Sequence, residues 1–118
     1  MENAHAVAAE LREPARRLRN QIPGVLDGYR AMHHAAFADG ELPVKVKELI
    51  ALAIAATRQC DGCVASHGRG AARAGATEAE VAEAMGVVIS MNGGPGTVWG
   101  PRALAAYIEY AGEASAGT

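Results

Sequence analysis

The sequence has few aromatic residues and few cysteines. One tryptophan, three tyrosines and one phenylalanine occur among 118 residues, and there are two cysteines. Because β-strands favour aromatic and β-branched residues, this composition comes close to excluding an all-β sandwich. Two cysteines are also too few for a secreted scaffold held together by disulfides. Alanine, in contrast, occurs 27 times, and its high helix propensity predicts an all-α domain.

The sequence also lacks an excess of one charge and a long apolar run. Eleven Lys and Arg against thirteen Asp and Glu leave a net charge of −2, which gives no general electrostatic footprint for nucleic acid. The longest apolar run, 49–57, has nine residues. It is well short of the roughly 20 that span a bilayer, and it predicts a helix buried on all sides. Because the N-terminus also lacks the layout of a signal peptide, we expect a soluble cytoplasmic protein without nucleic-acid or membrane partners.

Apolar spacings and helix breakers divide the chain into five or six helices, and no segment shows a strand pattern. Pro14 predicts a kink or a break into two shorter helices, and Pro101 predicts a late start of the last helix. Gly75 ends one helix, and Thr77 with Glu80 forms a capping box at the start of the next. The predicted helices cover residues 3–22, 23–38, 43–57, 60–74, 77–91 and 97–112.

Both cysteines and a histidine lie in the segment Cys60-x-x-Cys63-x-x-x-His67. At spacings of three and four residues, the three side chains share one face of a helix. A CxxC pair can close and reopen a small disulfide ring, and its thiolate is favoured at a helix N-terminus or beside a cation. His67 is spaced to accept the proton of Cys63 and then stabilise the thiolate. An activated thiolate attacks a peroxide to give a sulfenic acid, which a second thiol converts to a disulfide.

The same residues leave other interpretations open. The two cysteines and the histidine of this segment are also possible zinc ligands, with a fourth from His33, His34 or Glu48, although no second CxxC or HxxxH supports a structural zinc site. In another interpretation, the two cysteines are buried thiols that happen to lie close together, since free cysteine is among the most buried residue types. Adjacent residues on a helix point about 100° apart, and we interpret His33 and His34 as a surface or interface pair.

One carboxylate, Glu48, enters the helix that is predicted to be buried. It needs a partner there, and one interpretation is an ion pair at the rim with Lys45 or Lys47. In the other, the next helix returns alongside this one, which brings His67 back about 10 Å towards Glu48. Glu48 is then better placed to meet the histidine than either thiol. The order Glu48–His67–Cys63 predicts a proton relay in which the carboxylate orients the imidazole.

Together these residues resemble a known signature. Glu48, eleven further residues and then Cys60-x-x-Cys63-x-x-x-His67 are similar to the motif of the alkyl hydroperoxidase AhpD-like proteins, within the carboxymuconolactone decarboxylase superfamily. The flanking segments 42–53 and 74–84 also resemble helices of that family, and the similarity covers roughly residues 29–110. In one departure, the best characterised branch has a second histidine directly before the second cysteine. This chain has Gly62 there, which cannot shuttle a proton.

The resemblance implies an AhpD-like helical domain, with the CxxC pair at the start of a helix, that assembles into homo-oligomers, commonly trimers or hexamers. We treat residues 1–118 as one such domain, with an N-terminal helical extension at 1–22 and a flexible tail at 112–118. A chain this small buries only about two-thirds of its surface by itself. We therefore expect neighbouring subunits to complete its apolar helix faces.

The resemblance also implies a thiol-dependent peroxidase or disulfide oxidoreductase of the peroxiredoxin type, which reduces hydroperoxides without haem, flavin or metal. Carried onto this chain, Cys63 is the peroxidatic thiol, Cys60 is the resolving thiol, and Glu48 with His67 is the proton relay. The cycle then needs an external reductant, which is either a thiol or dithiol compound or a reductant protein. Chemistry alone leaves the order of the thiols open, because a helix N-terminus favours Cys60 whereas His67 favours Cys63. The alternatives are a metal-binding or redox-sensing helical oligomer without turnover and, less in keeping with a CxxC pair, a decarboxylase.

Overall fold

The chain folds into six helices in the computed structural model, which describes residues 1–116 and the side chains as far as residue 113. No strand occurs in this part of the chain. Within it, no helix has the length and apolarity needed to cross a membrane. The prediction of an all-α domain with the CxxC pair at the start of a helix is confirmed. The helices are α1 (Ala4–Gln21), α2 (Pro23–Phe37), α3 (Val44–Thr57), α4 (Asp61–Arg73), α5 (Glu78–Asn92) and α6 (Gly94–Ala116).

The core lies between the four helices α3 to α6. Leu52, Val64 and Val81 are completely buried at its centre. Helix α1 adds only two buried residues to the core, and every residue of α2 is at least partly exposed. Small side chains allow the helices to approach closely, and the buried alanines between them include Ala55, Ala56, Ala65, Ala71, Ala103 and Ala106.

Helix α4 lies close against α6 at Gly68. A Cβ added there would lie 2.9 Å from the Ala106 Cβ and 3.1 Å from two backbone atoms of α6. We expect Gly68→Ala to lower the free energy of unfolding by about 1–3 kcal/mol, because it forces the two helices apart. This loss is measured by urea denaturation.

Gly86→Ala is the matched control for this crossing. Gly86 lies in the middle of α5, and a Cβ there would have nothing within 4 Å. The higher helix propensity of alanine should therefore raise stability by up to about 1 kcal/mol. Equal unfolding midpoints for the two variants would contradict the close crossing of α4 and α6.

Two helix boundaries lie where local signals predict them. Gly75 follows the end of α4 and has a φ of +85°, a left-handed conformation that glycine adopts without steric cost. At the start of α5, the Thr77 hydroxyl accepts the Glu80 N–H, and the Glu80 carboxylate accepts the Thr77 N–H. The predicted capping box is confirmed.

Proline breaks neither the first helix nor the last. Helix α1 is continuous through Pro14 rather than two shorter helices, and Pro101 lies inside α6 instead of delaying its start. Both prolines are at exposed positions, where water can bond the carbonyl that loses its helical partner. The break predicted at Pro14 and the late helix start predicted at Pro101 are therefore wrong.

The last helix is longer at both ends than predicted. It begins at Gly94 rather than near residue 97, since Gly93 alone makes the turn, with a φ of +68°. Pro95 then falls in the first turn, where no N–H partner is needed. The helix continues to Ala116, past the predicted end at residue 112. Residues 117 and 118 of the predicted flexible tail lie outside the described residues.

The prediction that α3 is buried on all sides is wrong. Leu52, Ala55 and Ala56 face the core, but Ile50 is 46% exposed and Ile54 is 53% exposed. The uncharged run marks a helix with two apolar faces, of which this chain covers only one. The open face lines a groove beside the cysteines.

A histidine and two carboxylates fasten the start of α1 to α6. His5 Nδ1 lies 2.7 Å from the Glu109 carboxylate, His5 Nε2 bonds Glu113, and the imidazole packs on the Tyr110 ring at 4.4 Å. Glu109 also accepts the backbone N–H groups of Ala4 at 2.7 Å and of His5 at 3.1 Å. The hydrogen bonds to Glu109 and Glu113 raise the pKa of His5. Burial raises the pKa of Glu109, but the hydrogen bonds from His5 and the backbone outweigh it and lower that pKa overall.

This contact predicts a pH-dependent contribution to stability. Because the folded state raises the pKa of His5, the contribution is complete below the ordinary value of 6.5 and is lost as the pH rises through the folded-state value. We expect His5→Gln to lower Tm most near pH 6 and progressively less towards alkaline pH. His34→Gln, at an exposed histidine of α2, is the control. A Tm difference between wild type and His5→Gln that does not change with pH would contradict the assignment.

Candidate active site

The two cysteines form a disulfide at the start of α4. Cys60 is the N-cap residue and Cys63 is the third residue of the helix, with their Cα atoms 5.2 Å apart. The Cys63 N–H points at the Cys60 sulfur at 3.3 Å. Gln59, with a φ of +54°, reverses the chain between α3 and α4. The structure is therefore that of the oxidised protein, with Cys63 exposed and Cys60 half-buried.

Glu48 and His67 meet as the helix geometry predicts. His67 Nδ1 lies 2.8 Å from Glu48 Oε2, and the two side chains are only 16% and 13% exposed. The alternative of a rim ion pair is not what the structure contains. Lys45 pairs with Glu80 at 3.0 Å, and Lys47 donates to a backbone carbonyl of residue 38. Because an ionised carboxylate only accepts hydrogen bonds, Nδ1 carries the hydrogen and Nε2 is left as the basic nitrogen.

A glycine on α4 makes room for this pair. A Cβ on Gly70 would lie 2.3–2.7 Å from the carboxyl atoms of Glu48. Only a residue without a side chain therefore allows the Glu48 carboxylate to reach His67 in its present position. Gly70 is not among the site residues predicted from the sequence, where its spacing of three residues from His67 was the one available signal.

Aromatic side chains of α2 cover His67. The Phe37 ring lies 5.5 Å from the His67 ring with an interplanar angle of 12°, and His33 lies 4.3 Å from Phe37 and 5.8 Å from His67. Tyr29 continues the stack at 5.7 Å from His33. Of the pair predicted to lie at a surface or an interface, His34 is exposed, whereas His33 is half-buried in this stack. The spacing of four residues between Tyr29, His33 and Phe37 was the signal in the sequence.

A groove of about 420 Å³ opens onto the disulfide and His67. Its longest wall is the open face of α3. Ala36 and Phe37 of α2 also line the groove, together with the two cysteines and His67. On α3 the lining residues are Lys47, Ile50, Ala51, Ile54 and Ala55, followed by Arg58 at the helix end.

Helix α1 lies directly behind the CxxC pair. A Cβ on Gly62, between the two cysteines, would lie 3.0 Å from the Leu11 Cδ1 atom. A side chain at the position before Cys63 would therefore require the Leu11 side chain to shift.

The residues proposed as zinc ligands are not assembled into a metal site. The two sulfurs are bonded to each other, and Glu48 is bonded to His67. Among the described residues, no group of three or more His, Cys, Asp or Glu side chains is placed to hold a metal ion. In this oxidised state, the arrangement offers a reducible disulfide beside a base and a carboxylate.

The fold and the site together define a small helical protein with a redox-capable cysteine pair at a helix start. The chain belongs to the carboxymuconolactone decarboxylase family, whose sequence profile matches residues 23–108. The resemblance to AhpD-like proteins, which are part of the same superfamily, agrees with this assignment.

Two bacterial proteins are similar in sequence to most of this chain. An uncharacterised protein of Cupriavidus necator is 42% identical over 83 residues, which is 70% of this chain and 74% of that protein. A protein of Paracoccus denitrificans, called uncharacterised protein 4 in cox locus, is 38% identical over 86 residues, or 73% and 78% of the two chains. These names give no activity.

Two solved structures share the fold. The apo form of a carboxymuconolactone decarboxylase family protein from Legionella pneumophila has a TM-score of 0.88 and 31% identity, over 92% of this chain and 96% of that one. A protein of Burkholderia xenovorans has a TM-score of 0.80 over 98% and 99% of the two chains. At 23% identity, the second supports the fold alone.

Proposed function

We propose that this protein is a thiol-dependent peroxidase, or disulfide oxidoreductase, that reduces hydroperoxides through Cys60 and Cys63. The observation that carries the proposal is the disulfide in an open groove, beside a histidine that a carboxylate orients. Family membership supports enzyme-like chemistry of the decarboxylase and peroxidase superfamily. The two thiols supply both electrons that a hydroperoxide needs, so the proposal requires no resident cofactor.

The proposed reaction starts from the reduced protein. His67 takes the proton of Cys63, and the thiolate attacks the terminal oxygen of the hydroperoxide. The O–O bond breaks, Cys63 becomes a sulfenic acid, and the departing alkoxide takes the proton from His67 to leave as an alcohol. The Cys60 thiol then attacks the sulfenic sulfur, which forms the disulfide and releases water. An external thiol or dithiol reduces the disulfide and completes the cycle.

Exposure supports Cys63 as the attacking thiol. Its side chain is exposed at the groove, whereas Cys60 is half-buried at the N-cap and receives the Cys63 N–H. Attack on a hydroperoxide needs an accessible sulfur. The resolving thiol needs only to reach its neighbour, and the disulfide itself demonstrates that reach.

The experiment that tests the proposal is a single-turnover titration. The protein is reduced, freed of reductant, shown to contain two thiols, and treated with one equivalent of cumene hydroperoxide. We expect loss of both thiols, one equivalent of alcohol, and a Cys60–Cys63 disulfide by mass spectrometry. Dithiothreitol should then sustain continuous consumption. Thiols that persist in excess hydroperoxide would overturn the proposal, and stoichiometric zinc in the freshly purified reduced protein would favour the metal-binding alternative.

We also propose that the chain forms a homo-oligomer, a trimer or a hexamer. Large apolar side chains on α5 and α6 are about half exposed or more, namely Val87, Met91, Val98 and Ile108. Contiguous apolar patches are typical of surfaces that other subunits cover, and Val87 and Met91 lie together at one surface pocket. Light scattering on the purified protein measures the mass directly. That a protein acts as the reductant and that the chain is cytoplasmic are predictions made from the sequence alone.

A further inference from the structure

The groove beside the disulfide has the shape and chemistry to select one class of hydroperoxide. We propose, resting on the peroxidase function above, that the substrate is an aliphatic hydroperoxide that carries a carboxylate. Its chain lies along α3, its carboxylate binds Lys47, and its peroxide meets Cys63.

The length of the groove follows from the spacing of its lining. Lys47, Ile50, Ile54 and Arg58 are separated by three, four and four residues, which places them along one face of α3 and its C-terminal end. At 1.5 Å per residue, the wall from Lys47 to Arg58 is about 16 Å long. This length suits an extended chain better than a compact molecule.

The middle of the wall is apolar and open. Ile50 and Ile54 are 46% and 53% exposed, and Ala51 lies between them on the same face. Phe37 of α2 also lines the groove. Large apolar side chains left open in a concave site are the surface that an apolar ligand buries. An aliphatic chain therefore fits the middle of the groove.

The charges at the groove have one sign. Lys47 and Arg58 both line it, and no carboxylate is among its lining residues. Within the described part of the chain, no ion pair occupies either cation. Lys47 donates to the carbonyl of residue 38, which leaves two of its three hydrogens for a ligand. The neighbouring Lys45 is paired with Glu80 and does not line the groove.

The position of the disulfide fixes the direction of the chain. The Cys60 N–H bonds the carbonyl of Ala55, so the cysteines lie at the Arg58 end of α3. Lys47 is then about 12 Å along the helix from Ala55. A carboxylate held at Lys47 is consequently separated by the isoleucine stretch from a peroxide at Cys63.

The test compares the turnover of linoleic acid hydroperoxide with that of its methyl ester. Both are kept below their critical micelle concentrations, and the reductant is saturating. We expect wild type to prefer the acid by about tenfold in kcat/KM, the size of one charge-assisted hydrogen bond. Lys47→Gln should remove this preference, and the control Lys45→Gln should retain it. Equal kcat/KM for acid and ester in wild type, or an unchanged preference in Lys47→Gln, overturns the proposal.

A binding measurement separates this inference from the peroxidase proposal. Calorimetric titration of the oxidised protein with decanoate and with 1-decanol needs no turnover. We expect tighter binding of decanoate, lost in Lys47→Gln and kept in Lys45→Gln. Equal binding of the two probes overturns the carboxylate site. If cumene hydroperoxide is turned over without any preference for the acid, the substrate class is wrong while the peroxidase function stands.

Discussion

Replacing Cys63 with serine is expected to abolish hydroperoxide turnover, with a loss of about 10³-fold or more, as when other catalytic nucleophiles are removed. A serine hydroxyl at this position has no comparable anionic form near neutral pH. The measurement is steady-state consumption of cumene hydroperoxide with dithiothreitol as reductant. Unchanged urea denaturation of the reduced variant shows that the loss is chemical rather than structural.

Cys60→Ser is the matched control, because it removes the same disulfide but keeps the proposed attacking thiol. We expect it to consume one equivalent of hydroperoxide and to accumulate a sulfenic acid on Cys63. Dimedone trapping followed by peptide mass spectrometry locates that sulfenic acid. A trapped sulfenic acid on Cys60 in the Cys63→Ser protein would reverse the two roles.

Breaking the Glu48–His67 pair should have the second largest effect. Proton transfer by a positioned side chain contributes typically 10²–10⁴-fold. We therefore expect His67→Asn to lower the rate of hydroperoxide consumption by about 10²-fold or more. Glu48 acts through the histidine, so Glu48→Gln should lower this rate less than His67→Asn does. Because the two residues act as one unit, the double variant should be no slower than His67→Asn by itself.

Gly70→Ala should disturb the Glu48–His67 pair without changing either of these residues. Its Cβ would lie 2.3–2.7 Å from the Glu48 carboxyl atoms, so the carboxylate must move from its present position beside His67. We expect the rate of Gly70→Ala to approach that of Glu48→Gln, while Gly86→Ala on α5 keeps the wild-type rate. The pH dependence of Cys63 alkylation by iodoacetamide gives a readout that a merely structural defect would not move. Wild-type rates and alkylation profiles in both Glu48→Gln and Gly70→Ala would contradict the relay.

The sequence predicts those features that depend on neighbouring residues. The capping box of Thr77 and Glu80 and the C-terminal stop at Gly75 each involve a few consecutive residues. The disulfide at the start of α4 is equally local. The meeting of Glu48 with His67 needs only the helix rise and one chain reversal, and so it also follows from counting residues.

Features that depend on tertiary packing could not be predicted from the sequence. The need for Gly70 arises from a carboxylate on another helix, which no local pattern reveals. The open face of α3 was missed because an apolar run predicts burial without saying what covers it. The aromatic stack over His67 depends on where α2 lies, and α2 has no fully buried residue to fix that position from the sequence.

The contact between Leu11 and Gly62 constrains how this chain can diverge. The best characterised branch of AhpD-like proteins has a histidine directly before the second cysteine, where a Cβ in this chain would lie 3.0 Å from Leu11 Cδ1. A larger residue at position 62 therefore requires the Leu11 side chain to shift or to be replaced. We therefore expect the effect of a substitution at position 62 to depend on the side chain at position 11, although the two positions are 51 residues apart in the sequence.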